Sequence, residues 1–503
     1  MNYEREQTEV VVVGGGPVGM LLAGDLAQQG VKVLLLERLE EISTRPKAGT
    51  FHTRTVATLA RRGLLRLQPD SSSDYNVMDY QPFHFAGYPW LEVRGHSVEG
   101  PITLGLGQSD LERVLEKRAL TQGADIRRGV TVTEILQDEK AVKVRYTTAQ
   151  EEHAVSAEYG VGCDGARSLV RSSGFSVTDY PPTTWSVTCW AVVGNPRQLP
   201  PGWNTHPRGV TMVNLNPYGH SRISVFEFDG PASERRSPLS VQEFSQSLDR
   251  VLGQHIELSG VQYLDRLSDF IRIADSYRSG RLFLAGDAAH VHPPLGGQGL
   301  NTGLQDAVNL AFKIVSVIAY GADPSLLDSY DAERRPVGEA VVDNSRVQAL
   351  LMNPAAEFSP MRSFFNRMLR ETDVHDWLSD QISGHGLHYP TLHTTDPNIH
   401  EGRAGEFLPN ITFSVSDGEI SVAEALSDGK ALLIVSAGTA ITAQAVLEKV
   451  THPRLRVLIP DEIPDGLPQA ILVRPDGYIA WASSHLDNGV VTATHTWLGG
   501  SVR

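Results

Sequence analysis

The hydrophobic pattern at the start of the chain changes period twice within forty residues. Val10–Val13 is an unbroken β-branched run, the pattern of a strand buried on both faces. Met20, Leu21, Ala23, Leu26 and Ala27 then fall at helical spacing, and Val31–Leu36 predicts a second strand ending at Glu37. A helix is expected over Ser109–Leu120, a further buried strand over Arg281–Ala285, and then a long helix. In that helix Leu304, Val308, Ala311, Val315 and Ile318 recur at 4-3-4-3 spacing. Between these regions Trp185–Val193, Gly209–Leu215 and Ser221–Phe228 alternate as an antiparallel sheet does when one face is covered. From about Asp396 a separate set of strands follows: Ala431–Val435, Leu455–Ile459, Gln469–Val473 and Tyr478–Ala482. The last two are joined by the turn Arg474-Pro475-Asp476-Gly477.

The first strand runs into Gly14-Gly15-Gly16-Pro17-Val18-Gly19, a G-x-G-x-x-G, with Glu37 eighteen residues further on. Strand, glycines, helix, second strand and acid stand in the order of a dinucleotide site. Gly14 permits the tight turn, Gly16 removes a side chain where backbone meets pyrophosphate, and Gly19 lets helix and strand approach. The helix start offers free N–H groups and partial positive charge, and Glu37 can accept hydrogen bonds from a ribose diol. This motif alone serves NAD and FAD equally. Two later motifs add to it. Tyr159-Gly-Val-Gly-Cys163-Asp164-Gly165-Ala-Arg-Ser168 ends a strand and opens a helical stretch. Gly286-Asp287-Ala-Ala-His290 follows the Arg281–Ala285 strand and leads through Pro293-Pro294-Leu295-Gly296-Gly297-Gln298-Gly299 to the helix start at Leu300-Asn301-Thr302-Gly303. An acid at a strand end can bind a polyhydroxyl chain, and a helix start beyond a Gly-rich loop can hold the electron-rich end of a flavin.

Composition narrows the function classes. The 503 residues carry 44 basic against 59 acidic side chains, a net charge of −15 that argues against nucleic-acid binding. The two cysteines, Cys163 and Cys189, form no CxxC and read as small buried hydrophobes in a reducing compartment. His290 and His292 stand two apart without a cluster of further ligands, so no metal is expected. The most apolar stretch, Val10–Ala23, is broken by glycines and a proline and is too short to span a bilayer. The N-terminal hexapeptide lacks signal-peptide character, so a soluble cytoplasmic protein with no membrane association is expected. No G-x-S-x-G elbow supports a serine hydrolase.

With these motifs in order, the sequence resembles the FAD-dependent aromatic hydroxylases related to p-hydroxybenzoate hydroxylase (class A flavoprotein monooxygenases). It is most similar to the branch acting on aromatic polyketides such as angucyclines and anthracyclines. The run Gly286–Asp306 carries the most specific likeness, which extends over nearly the whole chain. The resemblance implies an α/β fold: a Rossmann-like FAD-binding domain from residues 1–70, 100–178 and 268–390, an α+β substrate domain with an antiparallel sheet from 71–99 and 179–267, and a thioredoxin-like C-terminal domain over 396–503. That last region has no cysteine, which excludes a dithiol redox role and leaves a structural one.

The resemblance also carries over site residues. Gly14, Gly16 and Gly19 meet the FAD pyrophosphate, Glu37 the adenosine ribose, and Gln108 the flavin side. Asp164 belongs to a motif linked to both FAD and NAD(P)H. Asp287 binds the ribityl chain, while Pro294, Gly297, Leu300 and Asn301 border the isoalloxazine. Pro17, Val18, Arg38, Gly165, Gly286 and Gly299 complete the cofactor-binding set. Where relatives carry Arg-Ala-Gly, this chain has Lys47-Ala48-Gly49 with Arg45 two residues earlier, and either Arg45 or Lys47 can face the cofactor. The implied reaction is NAD(P)H- and O2-dependent hydroxylation of a phenolic polycyclic polyketide through a flavin C4a-hydroperoxide, in antibiotic or related secondary metabolism. NADPH or NADH binds transiently as co-substrate. The flavin performs the redox step, so no side chain is singled out as catalytic. Baeyer–Villiger insertion on the same scaffold is the alternative, with Arg45 as a candidate cation. Among the roof aromatics, Trp185, Trp190, Phe226 and Phe228 read first as core. Oligomeric state is left open.

Overall fold

The computed structural model describes residues 6–45, 47–65, 77–78, 81–93, 103–228, 237–390, 403–416 and 418–500. The first five residues and the domain edges expected at 70/71, 99/100 and 396 lie outside them. The central sheet is built on β1 (Glu6–Val13), which is followed by helix α1 (Pro17–Gln28) and then by β2 (Val33–Leu36), parallel to β1. Val10, Val11 and Val12 are excluded from solvent because α1 covers one face of the sheet and other elements the second. Burial of each stabilises by roughly 1.5–3 kcal/mol. β2 begins two residues later than the apolar run suggests. Gly30, at φ +82°, ends the helix, and the Val31 N–H still belongs to that turn, donating to Leu26 O. Helix α2 (Gln108–Thr121) packs beside α1.

On the other side of β1 lie β3 (Glu152–Gly162) and then β4 (Leu282–Leu284), both parallel. β4 leads to α3 (Gln298–Tyr320), of which nineteen residues are buried. Next comes α4 (Asp328–Met352), a 25-residue helix that the sequence reading did not anticipate because polar residues and an interior Pro336 interrupt its period.

Between β3 and β4 the chain forms a separate antiparallel sheet of five strands. Their order is Gly202–His206, Gly209–Asn214, Ser221–Glu227, Trp185–Val193 and Leu258–Ser268. Alternation decides its two faces. Val187, Cys189, Ala191, Ile223 and Val225 pack against the helix Val241–Leu252, whose N-terminus carries a capping box between Ser240 and Glu243. Ser240→Ala should cost about 1 kcal/mol, read as a lower urea midpoint at unchanged slope. Ser186, Thr188, Trp190, Arg222, Ser224 and Phe226 occupy the opposite face.

The C-terminal sheet has the order Leu455–Leu458, Ala431–Val435, Ala470–Val473, Ile479–Ser483, with one parallel and two antiparallel pairs, and is packed by helix Asn488–Leu498. This thioredoxin-like unit meets the rest of the molecule at several points, among them Arg454 with Ser316, Leu408 O with Arg61, and the Arg474–Gly477 turn. There Arg474 makes two hydrogen bonds to Glu333 of α4 (2.7 and 3.0 Å), and Lys313 of α3 reaches the same carboxylate at 2.9 Å.

Candidate active site

β1, β3 and β4 end side by side, with Val13 opposite Gly162 and Gly162 opposite Leu284, so the three motifs that follow them emerge at one edge of the sheet. The carboxyl ends of parallel strands are where open α/β sheets bind ligands. Gly14 is required twice over: φ is +105°, and a Cβ would collide with the carbonyl oxygen of Cys163. At Gly19 a Cβ would strike the Gly14 carbonyl, so helix and turn touch backbone to backbone. Gly16 differs from both: nothing lies within 4 Å of a Cβ there, and the same holds at Gly165.

These open positions, with three further features, fit an extended dinucleotide dianion such as FAD. The N-termini of α1 and α3 carry no side-chain cap, so their first N–H groups remain available beside Gly16–Gly19 and Gly297–Asn301. Asp164 spends one oxygen on the Leu169 N–H (2.6 Å), while its Oδ1 is buried without a partner. Asp287 has exposed surface although protein atoms enclose it, as expected for a carboxylate facing an open cleft deep in the molecule. That enclosure raises its pKa against the smaller pull of His290, Lys47 and Arg171. If Asp287 holds the ribityl hydroxyls, Asp287→Ala will lower FAD affinity at least tenfold, measured as the 450 nm absorbance retained after gel filtration. Unchanged flavin content would exclude the role.

Glu37 sits under the glycine turn, its Oε2 accepting from the Gly15 N–H (2.5 Å) and its Oε1 from Leu39 N–H (2.8 Å), with Arg38 exposed beside it. Gln108 binds back to Ala48 through its backbone N–H (3.1 Å) and donates from its side chain to Glu112 (2.7 Å), placing the Lys47-Ala48-Gly49 segment against the start of α2. The two basic residues of that segment diverge. Lys47 lies within electrostatic reach of Glu112 and Asp287, whereas Arg45 lies within reach of Tyr263 on the five-stranded sheet.

The glycine loop before α3 is held by side chains rather than by its own sequence. Gly296 and Gly297 have φ of +74° and +63°; the Asn301 amide donates to Thr50 O and Gly297 O, while its Oδ1 accepts the His52 N–H. Pro294 is exposed, Gly299 and Leu300 half-buried, and Gly286 meets Val18. His52 Nε2–H donates to Gly296 O at 2.9 Å, leaving a buried Nδ1 without a partner. Burial brings the His52 pKa down to about 4, so this ring is neutral near pH 7.

Two features escaped the sequence reading. Below the Gly286-Asp287 turn, His290 Nε2 donates to Asp306 Oδ2 (2.7 Å). Arg334 donates to Asp306 Oδ1 (2.8 Å), and the Gly286 N–H to Oδ2 (3.0 Å); all three side chains are fully buried. His290 and Asp306 both belong to the Gly286–Asp306 run, but only the fold brings Arg334 to them. The second feature is an aromatic wall in which His84 stacks on Phe83 (5.0 Å) and lies tilted against Trp203 (4.3 Å). Among the described residues no group of three or more metal-ligating side chains occurs, and no helix is long and apolar enough to cross a membrane. Both thiols have their pKa raised by burial, Cys189 to about 12.

A flavoprotein site of this geometry has known counterparts. Residues 7–345 match the FAD binding domain family, and residues 401–501 match the aromatic-ring hydroxylase C-terminal family. The chain belongs to these FAD-binding aromatic-ring hydroxylases. It is similar to the 12-dehydrotetracycline 5-monooxygenase/anhydrotetracycline 6-monooxygenase of Streptomyces rimosus, with 34% identity over 98% of this chain and 99% of that one. The solved structure of OxyS anhydrotetracycline hydroxylase from Streptomyces rimosus superposes at a TM-score of 0.86, with 30% identity over 99% of this chain and all of that one. A dialkyldecalin synthase from Streptomyces rugosporus is 30% identical over 97% of this chain and 98% of its own. The present chain is a FAD-dependent monooxygenase.

Proposed function

We propose that this enzyme uses NADPH or NADH and O2 to hydroxylate a phenolic, polycyclic aromatic polyketide, in antibiotic or related secondary-metabolite biosynthesis in the cytoplasm. The observation that carries the reading is an open pocket between the five-stranded sheet and the glycine loop. Thr184, Ser186, Phe226 and Phe228 line it from above, and Pro293, Pro294 and Leu295 from below. Its walls are mainly apolar, with a few hydroxyls and the Asp269 carboxylate, the composition of a small-molecule site. The similarity to a tetracycline monooxygenase supports the same class of substrate.

In this reading the FAD-binding unit comprises 1–70, 100–178 and 268–390, the substrate unit 71–99 and 179–267, and the C-terminal unit 396–503. Gly14–Gly19 receive the pyrophosphate, Glu37 with Arg38 the adenosine ribose, and Asp287 the ribityl chain. Gln108, Lys47, Asp164, Gly165 and Gly286 complete the cradle, with Arg45 turned towards substrate. Bound FAD supplies the redox chemistry, accepting a hydride and activating dioxygen. The chain's own part is to position and enclose. The uncapped start of α3, at Gly299–Asn301, stabilises negative charge on whatever lies against it. Phe226, Phe228 and Leu295 hold a planar ring system and exclude water. Neutral His52, with its free Nδ1, is an acceptor beside the same loop.

Stopped-flow bleaching of the flavin by NADPH without oxygen, with and without a polycyclic phenol, tests this. Acceleration by the phenol, followed under ¹⁸O2 by a base-stable product carrying one ¹⁸O, is expected. A base-labile product would mean lactone formation. A transformed substrate without ¹⁸O would place the chain with the synthase relative instead.

A further inference from the structure

Arg222 stands out among the charged residues of the substrate sheet because it makes no hydrogen bond or ion pair among the described residues. It lies on Ser221–Glu227, on the face that carries Ser224 and Phe226, and Phe226 lines the cavity with the glycine loop. Directly opposite it on the neighbouring strand is Trp190, and opposite Trp190 on the third strand is Tyr263. Side chains in such register are about 5 Å apart at Cβ, so the three form one row across the sheet. The Trp190 Nε1–H is buried and has no acceptor. The Tyr263 hydroxyl is committed, donating to Asp265 at 2.6 Å. Arg45, from the loop after β2, lies within electrostatic reach of Tyr263, as does Arg222. Burial lowers the Arg222 pKa against the smaller pull of the Tyr263 hydroxyl, and no carboxylate among the described residues pairs with the guanidinium.

A half-buried guanidinium without a counter-ion, beside an indole N–H without an acceptor, is a donor pair that lacks its anion. The row is four residues along the strands from Ser186 and Phe226, about 13 Å at strand rise. A molecule with one end at the glycine loop reaches it only if it is elongated.

We infer that Arg222 and Trp190, with Arg45 nearby, form an oxyanion subsite at the far end of the substrate cleft. The ligand group is a carboxylate, an ionised enol or phenol, or a phosphate. Two sources supply that chemistry: an acidic function on the polycyclic substrate, or the 2′-phosphate of NADPH. This inference rests on the functional reading above only for the first source.

The test uses FAD-loaded enzyme and two planar probes, anthraquinone-2-carboxylate and its uncharged carboxamide, with dissociation constants from flavin-absorbance titration. Wild type is expected to favour the acid at least tenfold. Arg222→Met should abolish the preference at unchanged flavin content, Arg222→Lys should retain part of it, and Trp190→Phe should reduce it several-fold. A parallel arm measures the apparent Kd for NADPH and NADH from the concentration dependence of the anaerobic flavin-reduction rate. A tenfold rise for NADPH alone in Arg222→Met would assign the subsite to the 2′-phosphate. Failure of both probes to bind would count against a polycyclic substrate, and the nicotinamide arm would then decide the subsite. An Arg222→Met enzyme as anion-selective as wild type in both arms, or a wild type with no selectivity in either, overturns the proposal.

Discussion

Gly16→Val protein should purify folded and colourless, with FAD affinity reduced by two orders of magnitude or more. Most glycines of the nucleotide turn cannot distinguish folding from binding: substituting Gly14 or Gly19 drives a side chain into backbone, so lost flavin would accompany a damaged fold. Gly16 has φ −73° and ψ −178°, a conformation valine adopts readily, and no protein atom within 4 Å of a Cβ. The only thing a side chain there can meet is a ligand brought to the start of α1. Circular dichroism and the urea midpoint of flavin-stripped protein should match wild type, while the 450 nm absorbance of protein as purified disappears. A yellow, normally loaded Gly16→Val protein would mean that the pyrophosphate does not approach this turn.

The same contrast explains how much was legible in the sequence. Gly14, Gly19 and the Gly286-Asp287 turn were readable because backbone constraints admit one residue type and leave it in the chain. The substrate sheet was readable from alternation, and Trp185–Val193 has the expected ends. Pairings set by tertiary approach left no local trace. Glu333 and Arg474 meet across 141 positions, and nothing near either residue in sequence announces the other. Arg45 and Lys47 were indistinguishable as a basic pair; they separate once one faces the carboxylate of Asp287 and the other Tyr263. The C-terminal turn Arg474–Gly477 was legible as a turn, but its role as a plug into α3 and α4 was not.

That plug should have the largest effect on stability. Glu333→Gln is expected to lower unfolding free energy by about 3–5 kcal/mol, the usual cost of leaving buried charges without their partner. Glu333 accepts from Arg474, Lys313 and Asn309, and Arg474 also binds Asp476, all within a layer where these groups are almost wholly buried. Two cations and two anions balance there, so removing one anion leaves an excess positive charge in a poorly polarisable interior. Burial alone would raise the Glu333 pKa; Arg474 and Lys313 outweigh it and bring it down to about 2. A carboxylate whose pKa is depressed by folding contributes stability that is present above its ordinary value near 4.5 and lost as pH falls towards 2. The gap between wild type and Glu333→Gln should therefore be full at pH 7 and shrink below pH 4.5. Arg474→Met should be comparably destabilising, and the Glu333→Gln/Arg474→Met double variant less so than the sum of the singles, because the second change removes a charge the first left unpaired. Calorimetry would register the loss as earlier melting of the C-terminal unit. Single variants within about 0.5 kcal/mol of wild type, the range of ordinary surface changes, would show that the Arg474 turn does not anchor that unit.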